Sequence, residues 1–155
     1  MTADFEIKKQ KVVHTWAAWS LVQGSFSDPL GNDFTRTYVS SPGAVGVVAL
    51  LGEKSARQVI LVNQYRPPFN EKTLEIPAGM RDKQGEDSVV TARRELEEEA
   101  GFTAGTLLSI GSHESAPGIS NARVDLFLAT DLVETKVDRH GPEEQFMTIR
   151  YIAFN

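Results

Sequence analysis

Residues 79–102 read GMRDKQGEDSVVTARRELEEEAGF, and this stretch decides the fold. It predicts a glycine-flanked loop followed by an amphipathic helix. Asp87 or Ser88 can cap the helix by accepting hydrogen bonds from its first N–H groups, and Gly101 can end it because glycine tolerates a left-handed C-cap. Between these signals, apolar residues recur at helical spacing and predict a buried stripe of Val89, Ala92, Leu96 and Ala100.

Three glutamates of this helix, Glu95, Glu98 and Glu99, stand at positions i, i+3 and i+4 and therefore share neighbouring surface. Like charges at this spacing cost about 0.2–0.5 kcal/mol per pair even in water. A solvated acidic face is the ordinary explanation of such a run. The alternative is a cation that neutralises the three carboxylates, and clustered oxygen ligands suit Mg²⁺ or Mn²⁺.

The end of this stretch favours the second explanation. Residues 94–102, RELEEEAGF, resemble the second half of the Nudix hydrolase box: Arg-Glu, an aliphatic residue, any residue, Glu-Glu, any residue, Gly and an apolar residue. Glu86 lies eight positions before Arg94, as the box requires. The box places five residues between its first Gly and first Glu, whereas six separate Gly79 from Glu86. An extra loop residue costs little, so the helix register is unaffected.

The sequence around the box is similar to the ADP-ribose pyrophosphatase branch of the Nudix family. Residues 64–68, QYRPP, and 74–79, LEIPAG, approach the box as in that branch. Pro117 stands sixteen positions after the last glycine of the box, a spacing that marks ADP-ribose hydrolases in the family. Asn121 and Ala122 stand where the branch usually has an acidic pair, so the pocket for the sugar is expected to differ there.

The rest of the chain predicts an α+β fold with many strands and one good helix. Residues 44–51 form a continuous apolar run typical of a central strand, and residues 1–40 predict a β-hairpin around the turn signal at 27–32. The resemblance implies the Nudix fold, a mixed β-sheet sandwiched between helices. We therefore expect a single Nudix domain over residues 1–155, with a catalytic core in 41–155.

Composition narrows the class of protein. The chain has 155 residues, a net charge of −5 and no cysteine. No general basic surface for nucleic acid is expected, and disulfides, thiol catalysis and cysteine-based zinc sites are excluded. The longest apolar stretch is too short to span a bilayer, and the N-terminus lacks the apolar core of a signal peptide. These features predict a cytoplasmic protein that binds neither membranes nor nucleic acid.

The resemblance also implies roles for individual residues. A base on the loop before the last strand takes a proton from water, and Glu143 and Glu144 are the acids available there. Arg66 stands where the branch places an arginine on the phosphates or ribose of the substrate, which a guanidinium binds well. The implied metal ligands are the backbone carbonyl of Ala78 and the carboxylates of Glu95, Glu98 and Glu99, with Glu86 assisting, while Arg94 orients these glutamates through ion pairs.

In the resembled branch the N-terminal strands exchange across a two-fold dimer, and aromatic side chains there stack on adenine. Trp19 and Tyr38 are the candidates for stacking, and Trp16 is a weaker one. Ordinary packing against the domain would explain these aromatic residues equally well. Pro117 is expected to stiffen a loop at the substrate, because a proline-fixed loop loses less entropy when a ligand orders it.

The resemblance therefore implies a homodimeric, Mg²⁺- or Mn²⁺-dependent hydrolase that cuts ADP-ribose to AMP and ribose 5-phosphate. Two alternatives remain open at this point. The enzyme could act on other nucleoside diphosphate sugars or on damaged nucleotides. A Nudix domain could also bind a nucleotide as a sensor without hydrolysing it, although the intact Glu95, Glu98 and Glu99 argue against that reading.

Overall fold

The computed structural model describes residues 4–142 and 144–153, and these form two compact units. Unit 1 is drawn from the described parts of Met1–Gly43 and from Glu114–Arg123. Unit 2 is drawn from Ala44–His113 and the described residues from Val124 onward. Residue 143, and with it the predicted candidate base Glu143, lies outside the described residues, as does Phe154.

Unit 1 contains a three-stranded antiparallel sheet of β1 (Glu6–Trp16), β2 (Trp19–Ser27) and β3 (Asp33–Ser40), in that order. Strands β2 and β3 form the predicted hairpin, and β1 adds a strand that the sequence did not predict at this length. Ala17 and Ala18 form the turn between β1 and β2, with Ala17 in the left-handed region at φ 45°. Neither residue is a turn former, and β1 is exposed along its whole length, so no periodicity marked it.

Unit 2 is built on a seven-stranded sheet, and its strands fall close to the predicted positions. The order is β10-β5-β4-β9-β8, with β6 paired to β5 and β7 paired to β4. β4 pairs in parallel with β9 but antiparallel with β5 and β7, so the predicted mixed sheet is confirmed. The bounds are β4 (Ala44–Leu51), β5 (Gln58–Arg66), β6 (Glu71–Glu75), β7 (Ala78–Met80), β8 (Phe102–Glu114), β9 (Arg123–Glu134) and β10 (Thr148–Ala153).

The helix α1 (Ser88–Ala100) packs on one face of this sheet. Asp87 is its N-cap, since the Asp87 carboxylate accepts from the Val89 N–H at 2.9 Å, and Gly101 ends it with φ 72°. The predicted stripe is buried: Ala92, Leu96 and Ala100 enter one core with residues of β4 and β5, and Val89 packs against it. Burying a leucine of this kind is worth about 1.5–3 kcal/mol.

The described residues contain one α-helix and one 3₁₀ helix, η1 (Glu144–Phe146). Phe146 ends η1, and the last strand of the sheet begins two residues later at Thr148. No helix within the described residues is long and apolar enough to cross a membrane.

Candidate active site

The site lies where α1 meets β7. Glu95 and Glu99 are both buried, although charged residues are rarely buried unless they are paired. The Glu99 carboxylate accepts from the Ala78 N–H at 2.9 Å. Gly79 leaves space for its neighbour, because a Cβ at this position would lie 2.0 Å from Cδ of Glu95. The glycine before the loop therefore lets the β7 backbone lie directly against a carboxylate of the helix.

Arg94 contacts three carboxylates of the box at once. Its Nη1 lies 2.7 Å from Oε1 of Glu95 and 3.0 Å from Oε2 of Glu98, and its Nη2 lies 3.3 Å from Oε2 of Glu86. Burial opposes the charge on this guanidinium, but Glu95 and Glu98 hold the pKa of Arg94 above its ordinary value. The ion pairs predicted for Arg94 are thus present in the structure.

Thr91 completes this network from the preceding turn of the helix. Its hydroxyl donates to Glu86 at 2.8 Å. This hydrogen bond, together with Arg94, holds the pKa of the Glu86 carboxyl below its usual value. Glu86 is therefore ionised at neutral pH and fixed beside Arg94 from the loop that precedes the helix.

Two carboxyls of the site have raised pKa values. Burial raises the pKa of Glu99 to about 8, and the nearby charges of Glu95 and Glu144 add to this, while the Ala78 N–H opposes it. Burial also raises the pKa of Glu95, against the effect of Arg94. The neighbouring positive charges are therefore too few to keep both carboxyls ionised. A bound cation would favour their ionised forms.

One cavity of about 600 Å³ in unit 2 is lined by Arg94 and by the glutamates of α1, Glu95, Glu98 and Glu99. Carboxylate oxygens dominate one part of its wall, and a smaller number of cationic side chains lie among them. Such a mixture suits an anion that is bound together with a metal ion. The lining residues include Gln64, Arg66, Ala78, Asp82, Lys83, Arg94, Glu95, Glu98, Glu99, His140 and Glu144.

Four of the five predicted metal ligands, Ala78, Glu95, Glu98 and Glu99, line this cavity, whereas Glu86 is paired with Arg94 and is not among the lining residues. Within residues 4–142 and 144–153, no group of three acidic or histidine side chains is placed to hold an ion as it stands. The reason is visible in the contacts: Glu95 and Glu98 are paired with Arg94, and Glu99 accepts from Ala78. The donor set nevertheless fits a hard divalent cation, since every candidate atom is an oxygen.

Arg66 lines the same cavity from the end of β5. Its Nε and Nη2 donate to the two carboxylate oxygens of Glu75 at 2.8 and 2.7 Å. This bidentate pair holds the pKa of the Glu75 carboxyl below its usual value, and a hydrogen bond from Thr73 contributes. The sequence placed Arg66 at the substrate but did not identify Glu75 as the group that holds it.

The loop before β10 brings a further acid to the cavity. Glu144 lies in η1, and its Oε2 accepts from the His140 N–H at 2.8 Å. Arg139 fixes the loop, because its guanidinium donates to the backbone carbonyl of Glu99 at 2.9 Å and to that of Met147 at 2.7 Å. The sequence predicted Glu144, whereas nothing in its pattern indicated that Arg139 would fasten the loop to the helix.

The sequence did not point to several other residues that line this cavity. Gln64 could have been found, because strand alternation puts it on the same face of β5 as Arg66. Asp82 and Lys83 lie in the loop with the extra residue, where no periodicity specifies direction. His140 has no partner at a spacing typical of metal ligands, so nothing in the sequence was a reason to place it in the site.

Tyr38 and Pro117 line a second cavity, of about 530 Å³, that lies within unit 1. Arg36, Asn121 and Arg123 are among the other lining residues. The Tyr38 hydroxyl accepts from the Gln10 side chain at 2.6 Å. The sequence grouped Tyr38 and Pro117 as substrate-binding residues, and the structure brings these two together.

Trp19 is half-buried in unit 1 and is not among the residues that line this second cavity. Its ring stacks on that of Trp16, with the centroids 6.3 Å apart, and Trp16 stacks in turn on His14 at 5.8 Å. His14, Trp16 and Trp19 thus form a continuous stacked row.

The part of the chain that carries this site is similar to known proteins. The model of the NUDIX domain family matches residues 41–155. The ADP-ribose pyrophosphatase of Bacillus subtilis (strain 168) is 39% identical over 125 residues, which are 81% of this chain and 65% of that protein. The ADP-ribose pyrophosphatase of Mycobacterium tuberculosis (strain ATCC 25618 / H37Rv) is 36% identical over 146 residues, 94% of this chain and 69% of that protein.

The chain thus spans about two thirds of the length of these two relatives. The crystal structure of an ADP compounds hydrolase superposes with a TM-score of 0.81 at 20% identity. The match covers 99% of this chain and 80% of that one, and at this identity it shows a common fold.

Proposed function

The chain belongs to the Nudix family, and on that premise we propose that it is a metal-dependent hydrolase that cleaves the diphosphate bond of ADP-ribose to give AMP and ribose 5-phosphate. The observation that carries this proposal is the gathering of Glu95, Glu98, Glu99 and Glu144 around one cavity with Arg66. The two relatives named ADP-ribose pyrophosphatase support the choice of substrate. The cysteine-free composition fits the cytoplasm as its place of action.

A diphosphate resists hydrolysis because its anionic oxygens repel an incoming nucleophile. A bound Mg²⁺ or Mn²⁺ would neutralise that charge and lower the pKa of a bound water. The carboxylates of Glu95, Glu98 and Glu99 and the backbone carbonyl of Ala78 would hold the ion, with Glu86 assisting. All of these groups offer hard oxygen donors, as such ions require.

Arg94 is assigned as a positioning residue. Its contacts with Glu86, Glu95 and Glu98 keep three acids within reach of one another in the absence of a metal. A bound cation would share the negative charge of these carboxylates, and Arg94 would still restrict their positions through its ion pairs. The planar guanidinium suits this task better than a lysine, which has a single charged nitrogen.

Glu144 is the described candidate for the general base. It lines the cavity on the loop before β10, and the His140 N–H fixes one of its oxygens. The carboxylate would take the proton of the attacking water as the water adds to phosphorus. Glu143 remains the alternative base, because residues 143 and 144 are both glutamates in the sequence.

Arg66 is assigned to the phosphates or the ribose of the substrate. Glu75 holds its guanidinium through both of its oxygens, which reduces the freedom that the side chain must lose on binding. A guanidinium carries five N–H donors in a planar fork, and this geometry binds anionic oxygens well.

The proposal extends to unit 1 and to assembly. Trp19 and Tyr38 are assigned to stacking on adenine, and Pro117 to the loop that accompanies it. Stacking of a base on an aromatic ring is worth about 1–3 kcal/mol. The N-terminal strands are assigned to the interface of a two-fold homodimer, the commonest form of soluble oligomer.

A substrate panel with product identification tests the proposed activity. ADP-ribose, GDP-mannose, ATP and dGTP are incubated with the protein and Mg²⁺, with EDTA as control, and the products are separated by chromatography. We expect the highest kcat/KM for ADP-ribose, because a site that binds ribose hydroxyls rejects substrates without them. A better rate with GDP-mannose or a triphosphate would disprove the ADP-ribose assignment but not the hydrolase. Binding without turnover of any of them would indicate a sensor.

A further inference from the structure

Gln64 is a buried polar residue that the assignments above do not use. It is only 4% exposed, and it lines the active-site cavity. Its backbone carbonyl accepts from the Thr73 hydroxyl at 3.5 Å. Its side-chain carboxamide makes no hydrogen bond with any other residue that the structure describes. The carboxamide is not among the buried side-chain atoms that lack a hydrogen-bond partner, so it is accessible from the cavity, where its two N–H groups can donate to a ligand.

The strand fixes the direction of this side chain. Successive side chains of a strand point to opposite faces, so Gln64 shares a face with Ile60, Val62 and Arg66. Ile60 and Val62 are fully buried, and Ile60 belongs to the core formed with α1. Along this face of β5, Gln64 therefore lies between the buried Val62 and the guanidinium of Arg66. This is the face of the sheet against which α1 packs with its glutamates.

The chemistry of the cavity determines what the carboxamide can bind. Most of the polar groups around it are carboxylates, which are acceptors when ionised, and a diphosphate is likewise an acceptor. A diphosphate placed here needs donors beside Arg66, and Arg94 already contacts Glu86, Glu95 and Glu98. Gln64 supplies two N–H donors without adding a charge that would compete with a metal ion for the carboxylates.

We propose that Gln64 binds the substrate directly, by donating a hydrogen bond from its carboxamide to a non-bridging oxygen of the diphosphate. This inference rests on the proposed function, because it names a further binding group of the same site. Gln64 is then a residue for diphosphate binding in general and does not select the sugar.

Thermal unfolding with inorganic pyrophosphate tests the inference without requiring turnover. A ligand that binds the folded state raises the Tm, so pyrophosphate in Mg²⁺ buffer should raise the Tm of the wild type. The rise should be smaller for Gln64→Met, which keeps the length of the side chain but removes the donors. It should be smallest for Gln64→Glu, which also adds a negative charge. Equal rises in all three proteins, or none in the wild type, would overturn the inference.

The same variants separate a binding role from a structural one. Without ligand, Gln64→Met should unfold at the wild-type temperature or above it, because it removes a polar group that has no partner. With substrate, its KM should rise about 10- to 100-fold, the range for losing one hydrogen bond to a charged group. Asn63→Val is the matched control, since Asn63 is a half-buried amide on the opposite face of β5, and its KM should not change.

The outcomes distinguish this inference from the proposed function. If the wild type hydrolyses a diphosphate and both Gln64 variants keep its KM, the inference fails and the function stands. If the wild type hydrolyses none but pyrophosphate protects it more strongly than it protects the Gln64 variants, the function fails and the inference stands. A Gln64→Met protein that loses stability and retains a normal KM would show that the amide is structural.

Discussion

At the scale of single residues, the buried glutamates of α1 explain why this site needs a cation. Glu95 and Glu99 are buried with less positive charge around them than they carry, and burial raises the pKa of Glu99 to about 8. A protein that is selected for stability alone would replace such groups with apolar residues. Their presence on a buried helix face therefore indicates that the ionised forms serve a ligand.

We expect Glu98→Gln and Glu99→Gln to lower turnover by orders of magnitude while the fold remains intact. The amide keeps the size of the side chain and the acceptor for the Ala78 N–H, but it binds a divalent cation far more weakly than a carboxylate. Mg²⁺ should raise the Tm of the wild type and should raise that of the variants much less. Near-normal activity of either variant at saturating Mg²⁺ would remove that residue from the site.

The ion pair between Arg66 and Glu75 predicts a pH dependence of stability. The Arg66 guanidinium holds the folded pKa of Glu75 below the ordinary value of 4.5. The unfolded state therefore takes up the proton first as the pH falls. The pair stabilises the fold above pH 4.5, and this stabilisation is lost as the pH falls through the lower folded pKa. Since both side chains are partly exposed, the effect is at most about 1 kcal/mol.

Glu75→Gln checks this sign. The variant should unfold at a lower temperature than the wild type at pH 7, and the difference should shrink as the pH is lowered below 4.5. Thermal unfolding followed by circular dichroism across this range measures both proteins. A difference that grows on acidification, or one that is independent of pH, would contradict the assignment of the stabilisation to an ionised Glu75.

At the scale of secondary-structure elements, the contact between β7 and α1 joins the fold to the chemistry. We expect Gly79→Ala to lower kcat/KM at least about tenfold, equivalent to about 1.4 kcal/mol. The added Cβ would lie 2.0 Å from Cδ of Glu95 and 2.2 Å from its Oε1, so this carboxylate has to turn away from the cavity. The end of a flexible side chain can move, so stability should fall far less than activity does.

Gly31→Ala serves as the control for this prediction. Gly31 has φ 85° but has no atom within 4 Å of an added Cβ. The substitution should therefore reduce stability through backbone strain, without affecting the site. Steady-state kinetics and thermal unfolding of the two variants separate the effects. If Gly79→Ala retains the wild-type kcat/KM, the close approach of β7 to Glu95 is not needed for activity.

Elements also show what the sequence alone could predict. The sequence predicted the end of the helix at Gly101 and limited its N-cap to Asp87 or Ser88, of which the structure has Asp87, because the caps and the apolar stripe are local signals of one segment. The wall of the cavity could not be predicted in the same way. Arg139 reaches the Glu99 carbonyl across 40 positions, and Glu75 meets Arg66 across a strand pair. Such contacts depend on strand pairing and loop direction, which composition and periodicity do not encode.

At the scale of the whole molecule, the comparisons and the units agree only in part. The NUDIX family model begins at residue 41, close to the first residue of unit 2 at Ala44. Unit 1, with its three strands, supplies residues 114–123 from the far end of the chain as well as the N-terminal segment. The predicted division into N-terminal strands and a catalytic core therefore remains a prediction.

Assembly is the prediction that belongs to this scale, and the surface of the N-terminal sheet supports it. β1 and the residues before it expose Phe5 at 64%, Ile7 at 64%, Val12 at 56% and Val13 at 53%. Exposed apolar side chains concentrated on one strand indicate a contact surface, so a second copy of the chain is expected to cover this patch. Sedimentation velocity at micromolar concentration should therefore give about twice the mass of one chain, 17.1 kDa.

Ile7→Glu places a charge in this patch and should shift the protein toward the monomer. Gln23→Glu is its matched control, because Gln23 is exposed on β2 and points to the opposite face of the sheet from Phe26, the partner of Ile7 in the β1–β2 pair. The control should sediment as the wild type does. If adenine binding depends on the same strands, Trp19→Ala should also raise KM for ADP-ribose. A wild type that sediments as a monomer at micromolar concentration would disprove the predicted dimer.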